Sequence, residues 1–176
     1  MATRVCSGST SARRSMMTTT GSIRSRAKTD DTPGRDAMNI EQALAFHTEA
    51  FRAVALWTGL SLLFILWLSM RISAGRRKLK VSVGDGGHAE LVNTTRAFGN
   101  AIEYIPLALV ALAVVAVFYS AAVVHVLGGA FFLGRVLHAW GMGQEKQPAI
   151  GRMLGMLLTY LPFIASAGLL IFAAVF

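Results

Sequence analysis

The run Arg96-Ala97-Phe98-Gly99-Asn100-Ala101-Ile102-Glu103-Tyr104-Ile105-Pro106 enters a long apolar stretch carrying an arginine, an asparagine and a glutamate. On a helix advancing about 100° per residue, Arg96, Asn100 and Glu103 fall within roughly 60° of one another. They form one polar stripe that lipid cannot satisfy. Ionisable side chains at membrane depth face a bundle interior or a wet cavity and mark a site by default. The chemistry of such a stripe is recognition. A guanidinium fork binds a carboxylate through two bonds, a glutamate holds an ammonium, and an asparagine binds a peptide group. Downstream, Arg135, His138 and Arg152 add two cations and an imidazole. A guanidinium beside a thiol favours the thiolate, its reactive form. Arg152 or Arg135 suits that role.

These residues need elements to position them, and composition says which kind. The chain is 54% hydrophobic and 15% charged, with a mean hydropathy of +0.54. The apolar residues come in long blocks, which is the pattern of a membrane protein rather than a soluble domain. Cys6 is the only cysteine, so an intrachain disulfide is excluded. The sequence has no cysteine/histidine cluster with zinc spacing, so no metal site is expected. It has no phosphate-cradling glycine loop either, and Gly84-Asp85-Gly86-Gly87 reads as a turn. The net charge of +8 divides evenly. Residues 1–37 hold seven Lys and Arg against three Asp, and residues 38–176 hold ten against six Asp and Glu. With no nucleic-acid module present, the basic balance reads as membrane orientation, not as nucleic-acid binding.

Residues 1–37 stand apart. They are rich in Ser, Thr and Arg, with no acid before Asp30 and no apolar core of a secretory signal. They read as an organelle transit peptide, as residues ahead of a true start at Met38, or as a disordered tail. On each reading the membrane domain is residues 38–176. Its first helix is expected at about residues 40–74. Residues 53–70 are uncharged, and about 18 residues just span a hydrocarbon core. Trp57 and Trp67 are placed for the two interfaces. Arg71, Arg76, Arg77, Lys78 and Lys80 follow, five cations in ten residues, and put this loop on the cytoplasmic side. A second reading of those cations is attraction of an anionic substrate.

Residues 104–134 contain no Asp, Glu, Lys or Arg. One helix of that length would measure about 46 Å, too long for the bilayer, and two full spans do not fit inside it. A tight helical hairpin with its apex near residues 119–122 resolves this. Its arms run over about residues 91–118 and 122–143. Counted from residue 120, Glu103 and Arg135 both lie about 22–26 Å from the apex. They share one depth near one membrane face, with His138 level with Asn100. A short polar loop follows, and the fourth helix runs from residue 152 to about 175, opening with Arg152 and passing through Pro162. The expectation is an all-α four-helix transmembrane bundle with Arg96, Asn100, Glu103, Tyr104, Arg135, His138 and Arg152 at one face. The structural alternative is that Arg96–Glu103 and Glu103–Arg135 are ion pairs that only fix helix register.

The pattern Arg96-x-x-x-Asn100-x-x-Glu103-Tyr104-x-Pro106-Leu107 resembles the signature of the MAPEG superfamily, membrane-associated proteins of eicosanoid and glutathione metabolism. The run Gly134-Arg135-Val136-x-His138 is similar to that family's third-helix motif, and the Gly84–87 turn to that of its bacterial, largely uncharacterised members. The resemblance covers about residues 45–176. It implies a four-helix subunit, a homotrimer, and glutathione as co-substrate bound between subunits near the cytoplasmic side. Glutathione, with two carboxylates, an ammonium, two amides and a thiol, fits the polar inventory, as other amphipathic anions do. By resemblance Arg96, Asn100, Glu103 and Tyr104 contact glutathione, Arg135 and His138 line the same cleft, and Arg152 is the catalytic arginine that stabilises the thiolate. The second substrate would be a lipophilic electrophile or hydroperoxide entering from the lipid bilayer. The membrane is expected to be a bacterial inner membrane or that of an organelle. Two tyrosines common in active members are replaced, by Met142 and Met156. Those losses point to the alternative, a non-catalytic membrane scaffold or partner-binding protein of the same fold.

Overall fold

The computed structural model describes residues 33–143 and 150–176, with side chains described from Ile40 onward. Residues 1–32 of the expected leader and residues 144–149 of the polar loop lie outside the described residues. Among the described residues the chain forms four helices: α1 (Pro33–Leu79), α2 (Ala89–Phe118), α3 (Ala121–Met142) and α4 (Ile150–Val175). Each is long and apolar enough to cross a bilayer. The protein is an integral, multi-pass membrane protein.

Helix α1 extends beyond the expected span at both ends. Proline opens it, at a position where a missing N–H costs nothing. Arg76, Arg77 and Lys78 close it, where cations meet the negative end of the helix dipole. Lys80 then takes a left-handed φ of 56°, and the Val81 N–H returns to the Arg76 carbonyl at 3.0 Å. The Gly84–87 run is a turn, as expected. Gly84, Gly86 and Gly87 all have positive φ, and the Asp85 carboxylate accepts the Gly87 N–H at 2.9 Å. Lys78 lies 3.7 Å from Glu90 across this connection.

The hairpin forms where the charge-free run required it. Only Tyr119 and Ser120 separate α2 from α3. The Tyr119 hydroxyl donates to the Leu169 carbonyl at 2.8 Å, tying the apex to α4. The inner face of α2 is a stripe of Ala97, Ala101, Ile105, Ala108, Leu112 and Val115, spaced by three and four. Phe64 and Leu68 of α1 and Phe131 of α3 pack with the first part of that stripe. Ala50, Ala53, Val124 and Leu127 pack with the second.

Trp67 stacks under the Arg71 guanidinium at 5.0 Å, an anchor of the interfacial kind. Trp57 packs against a neighbouring helix. Its ring fills a notch left by Gly128 and Gly129 on α3, beside His125 and Phe132.

The tightest seam joins α3 and α4, and glycine makes it. A Cβ on Gly134 would sit 2.9 Å from the Gly155 carbonyl oxygen. One on Gly141 would collide with the Arg152 backbone, and one on Gly155 with the His138 backbone. Without a hydrophobic drive between helices in lipid, such close backbone approach is a main source of association. Thr159, fully buried on the same seam, returns its hydroxyl to the Gly155 carbonyl at 2.8 Å. Gly155→Leu is therefore expected to cost roughly 1–3 kcal/mol or more by overpacking, read as a lowered unfolding midpoint in detergent. Gly168→Ala, where an added methyl meets nothing within 4 Å, is expected to stay within about 1 kcal/mol of wild type. Equal losses from both would show that the seam is not a close contact.

Candidate ligand-binding cleft

At the end of the bundle opposite the Tyr119 apex, three helices leave an open cleft of about 490 Å³. Helix α2 lines it with Val92, Asn93, Arg96, Gly99, Asn100 and Glu103, α3 with His138 and Met142, and α4 with Arg152. The α2 residues recur every three or four positions and so occupy one helix face. The α3–α4 glycine seam seats the rest. Because Gly141 and Gly155 let the backbones touch, Arg152 in the first turn of α4 stands beside the end of α3, over His138. The start of α4 also brings the positive end of a helix dipole to the cleft.

Of the seven residues singled out in the sequence, five line this cleft: Arg96, Asn100, Glu103, His138 and Arg152. Arg135 and Tyr104 stand behind it. Arg135 is only 2% exposed. Its Nη1 donates to Asn100 Oδ1 at 2.8 Å, and its Cζ lies 5.3 Å from the centre of the Tyr104 ring. Tyr104 in turn packs on Tyr160 and Phe163 of α4. The reason is rotational. Taking Arg96 as zero, Glu103 lies at about −20°, Asn100 at about 40° and Tyr104 at about 80°. Ala97, Ala101 and Ala108, at about 100–140°, define the buried face, and Tyr104 borders it.

The ion pairs weighed in the sequence are not the ones formed. Among the described residues the ion pairs are Arg52–Glu49 and Lys78–Glu90. Arg135 takes a neutral amide and an aromatic face as its partners instead of Glu103. Glu103 is left exposed to the cleft. The cleft itself therefore holds two guanidinium groups against one carboxylate. That arrangement accepts an anion that also carries a cationic group.

Sequence reasoning missed Asn93 as a cleft residue. Extending the Arg96–Asn100–Glu103 stripe back one turn reaches it, since it stands three residues before Arg96.

The MAPEG family profile matches residues 54–172, from within α1 almost to the end of α4. The chain belongs to the MAPEG family. It is 35% identical over 88 residues to the inner membrane protein YecN of Escherichia coli, a stretch covering 49% of this chain and 67% of that protein. It is 30% identical over 108 residues to the uncharacterized protein sll1147 of Synechocystis, covering 58% of this chain and 77% of that one. The matched region of this MAPEG protein contains every residue of the cleft.

The cleft geometry makes an accessibility prediction. In a Cys6→Ser background, Asn93→Cys and Glu103→Cys are expected to react with a charged, membrane-impermeant maleimide roughly tenfold or more faster than Tyr104→Cys. Comparable rates at positions 103 and 104 would mean that the two faces of α2 are not distinguished as described.

Proposed function

We propose that this MAPEG protein binds glutathione in the α2–α3–α4 cleft and presents its thiolate, held by Arg152, to a lipophilic electrophile arriving through the bilayer. The observation that carries the reading is convergence. Arg96, Asn100 and Glu103 from α2, His138 from α3 and Arg152 from α4 line one cleft whose volume lies in the range of small-molecule sites. Glutathione offers a carboxylate for Arg96, an ammonium for Glu103 and peptide groups for Asn100. Its thiol, placed at the start of α4, meets both Arg152 and the helix dipole. Each favours the deprotonated sulfur.

From there the chemistry is simple. The thiolate gives its electron pair to an electrophilic carbon and a C–S bond forms. The electrons released leave with a departing group, or settle on a neighbouring carbonyl oxygen that is then protonated by water. With a lipid hydroperoxide the same sulfur would attack oxygen, breaking the O–O bond to yield an alcohol and a sulfenic acid. A second glutathione would reduce that sulfenic acid to the disulfide and water. The proposal includes assembly as a homotrimer, with the bilayer as the route for the second substrate.

One observation favours a non-catalytic scaffold of the same fold. Met142, where active relatives in the resemblance carry a tyrosine, faces the cleft with a thioether that donates no hydrogen bond.

Calorimetry in detergent separates the readings. Glutathione is expected to bind with a Kd below about 1 mM. Arg96→Ala and Arg152→Ala should each weaken binding roughly ten- to hundredfold, the loss of a charge-assisted hydrogen bond. Arg152→Ala should also remove the ultraviolet absorbance of bound thiolate, while Arg96→Ala keeps it in the fraction bound. Absence of any binding by the assembled protein at millimolar glutathione would rule the proposal out in favour of the scaffold.

A further inference from the structure

Arg135 is buried, yet it neither faces the cleft nor meets a carboxylate among the described residues. Its Nε is buried without a hydrogen-bond partner. Its polar contact is the 2.8 Å bond from Nη1 to the Asn100 side chain. A guanidinium has five donors and no acceptor. Whatever atom of the Asn100 amide faces it must therefore be the oxygen, and this follows from chemistry whichever way an amide is drawn. The other half of that amide is an NH2 group. Asn100 lines the cleft, and its nitrogen has no hydrogen-bond partner among the described residues and is not one of the buried orphan donors.

We propose that Arg135 is a positioning residue, a clamp that holds the Asn100 amide in one orientation, its oxygen turned to the guanidinium, so that its NH2 donors are what the cleft is offered. The subsite at Asn100 then reads an acceptor on the ligand, a carbonyl or carboxylate oxygen, in preference to an N–H. Tyr104 serves the same purpose one step further back. Its ring under the guanidinium replaces part of the hydration that burial removed. Seen this way, Arg135 acts on the ligand through Asn100 and does not touch it. Applied to glutathione the inference rests on the proposed function above, whereas the clamp itself is a property of the free protein.

The chain contains three asparagines, Asn39, Asn93 and Asn100. Protein labelled with 15N-asparagine therefore gives three pairs of side-chain amide signals, and Asn100→Asp identifies the pair from position 100. In the free protein, Arg135→Met is expected to move the Asn100 pair and to speed its rotation, seen as faster exchange between the two NH2 protons. Arg135→Lys, which keeps an all-donor cation, should restore slow rotation. Added glutathione should shift the wild-type Asn100 pair, with Arg135→Met binding roughly tenfold more weakly and Arg135→Lys within about threefold of wild type. Should Arg135→Met not fold, the wild type still decides: its Asn100 pair is expected to rotate more slowly than the Asn93 pair, and equal rates overturn the clamp.

An Asn100 pair that rotates equally fast in wild type and both variants overturns the clamp. A wild-type pair left unmoved by saturating glutathione overturns the subsite assigned to Asn100. Failure of wild type to bind glutathione at all overturns the proposed function instead, and the rotation measurement on the free protein still tests the clamp.

Discussion

A guanidinium cannot lie bare among apolar helices. Taking one out of water costs several kcal/mol even after relaxation, and in a membrane bundle only neighbouring helices can offset that. Arg135 is in this position, almost wholly enclosed on α3. Its surroundings follow from the need to satisfy it: an amide oxygen from α2 at hydrogen-bonding distance, and an aromatic face from the same helix one turn along. Asn100 and Tyr104 are four residues apart, so α2 presents both to the same point of α3. That fixes the rotation of α2 relative to α3. Once it is fixed, Arg96, Asn93 and Glu103 have only one direction to face, which is the cleft.

The choice of a neutral partner matters for what the cleft can do. Had Glu103 turned inward to neutralise Arg135, the cleft would have lost its one carboxylate and kept only cations. Instead the buried cation is held without using an acid, and Glu103 stays available to a ligand. Three arginines close together would be expected to repel one another. Burying one behind a wall of side chains, and placing the other two on different helices across an open cleft, keeps the positive field while solvent screens the exposed pair.

The architecture was legible in the sequence because two hard limits governed it. Hydrocarbon thickness forced the 31 charge-free residues from 104 to 134 to fold back on themselves, and counting residues from the apex then put Glu103 level with Arg135 and Asn100 level with His138. Periodicity placed Arg96, Asn100 and Glu103 on one face. Partner choice was not legible. Whether Arg135 meets Glu103 or Asn100 depends on a rotation of a few tens of degrees between two helices. That rotation is set by the alanine stripe of α2 and by the glycine seam with α4, neither of which names its partner in the one-dimensional pattern. Trp57 shows the same limit. Its position in the sequence names no packing partner, and Gly128 and Gly129, some seventy residues away, create the notch that it fills.

The glycine seam connects packing to the site. Gly141 and Gly155 bring α3 and α4 into backbone contact, so the first turn of α4 arrives beside the last turn of α3 with little room to shift. Arg152 sits in that turn, at the end of a helix whose dipole points its positive end the same way. Its side chain is exposed and long, but its backbone is packed directly against Gly141. Residues that contact nothing in the cleft therefore set where its charges stand. A Cβ added at Gly141 would displace Arg152 through the backbone, with every polar residue of the cleft still in the sequence.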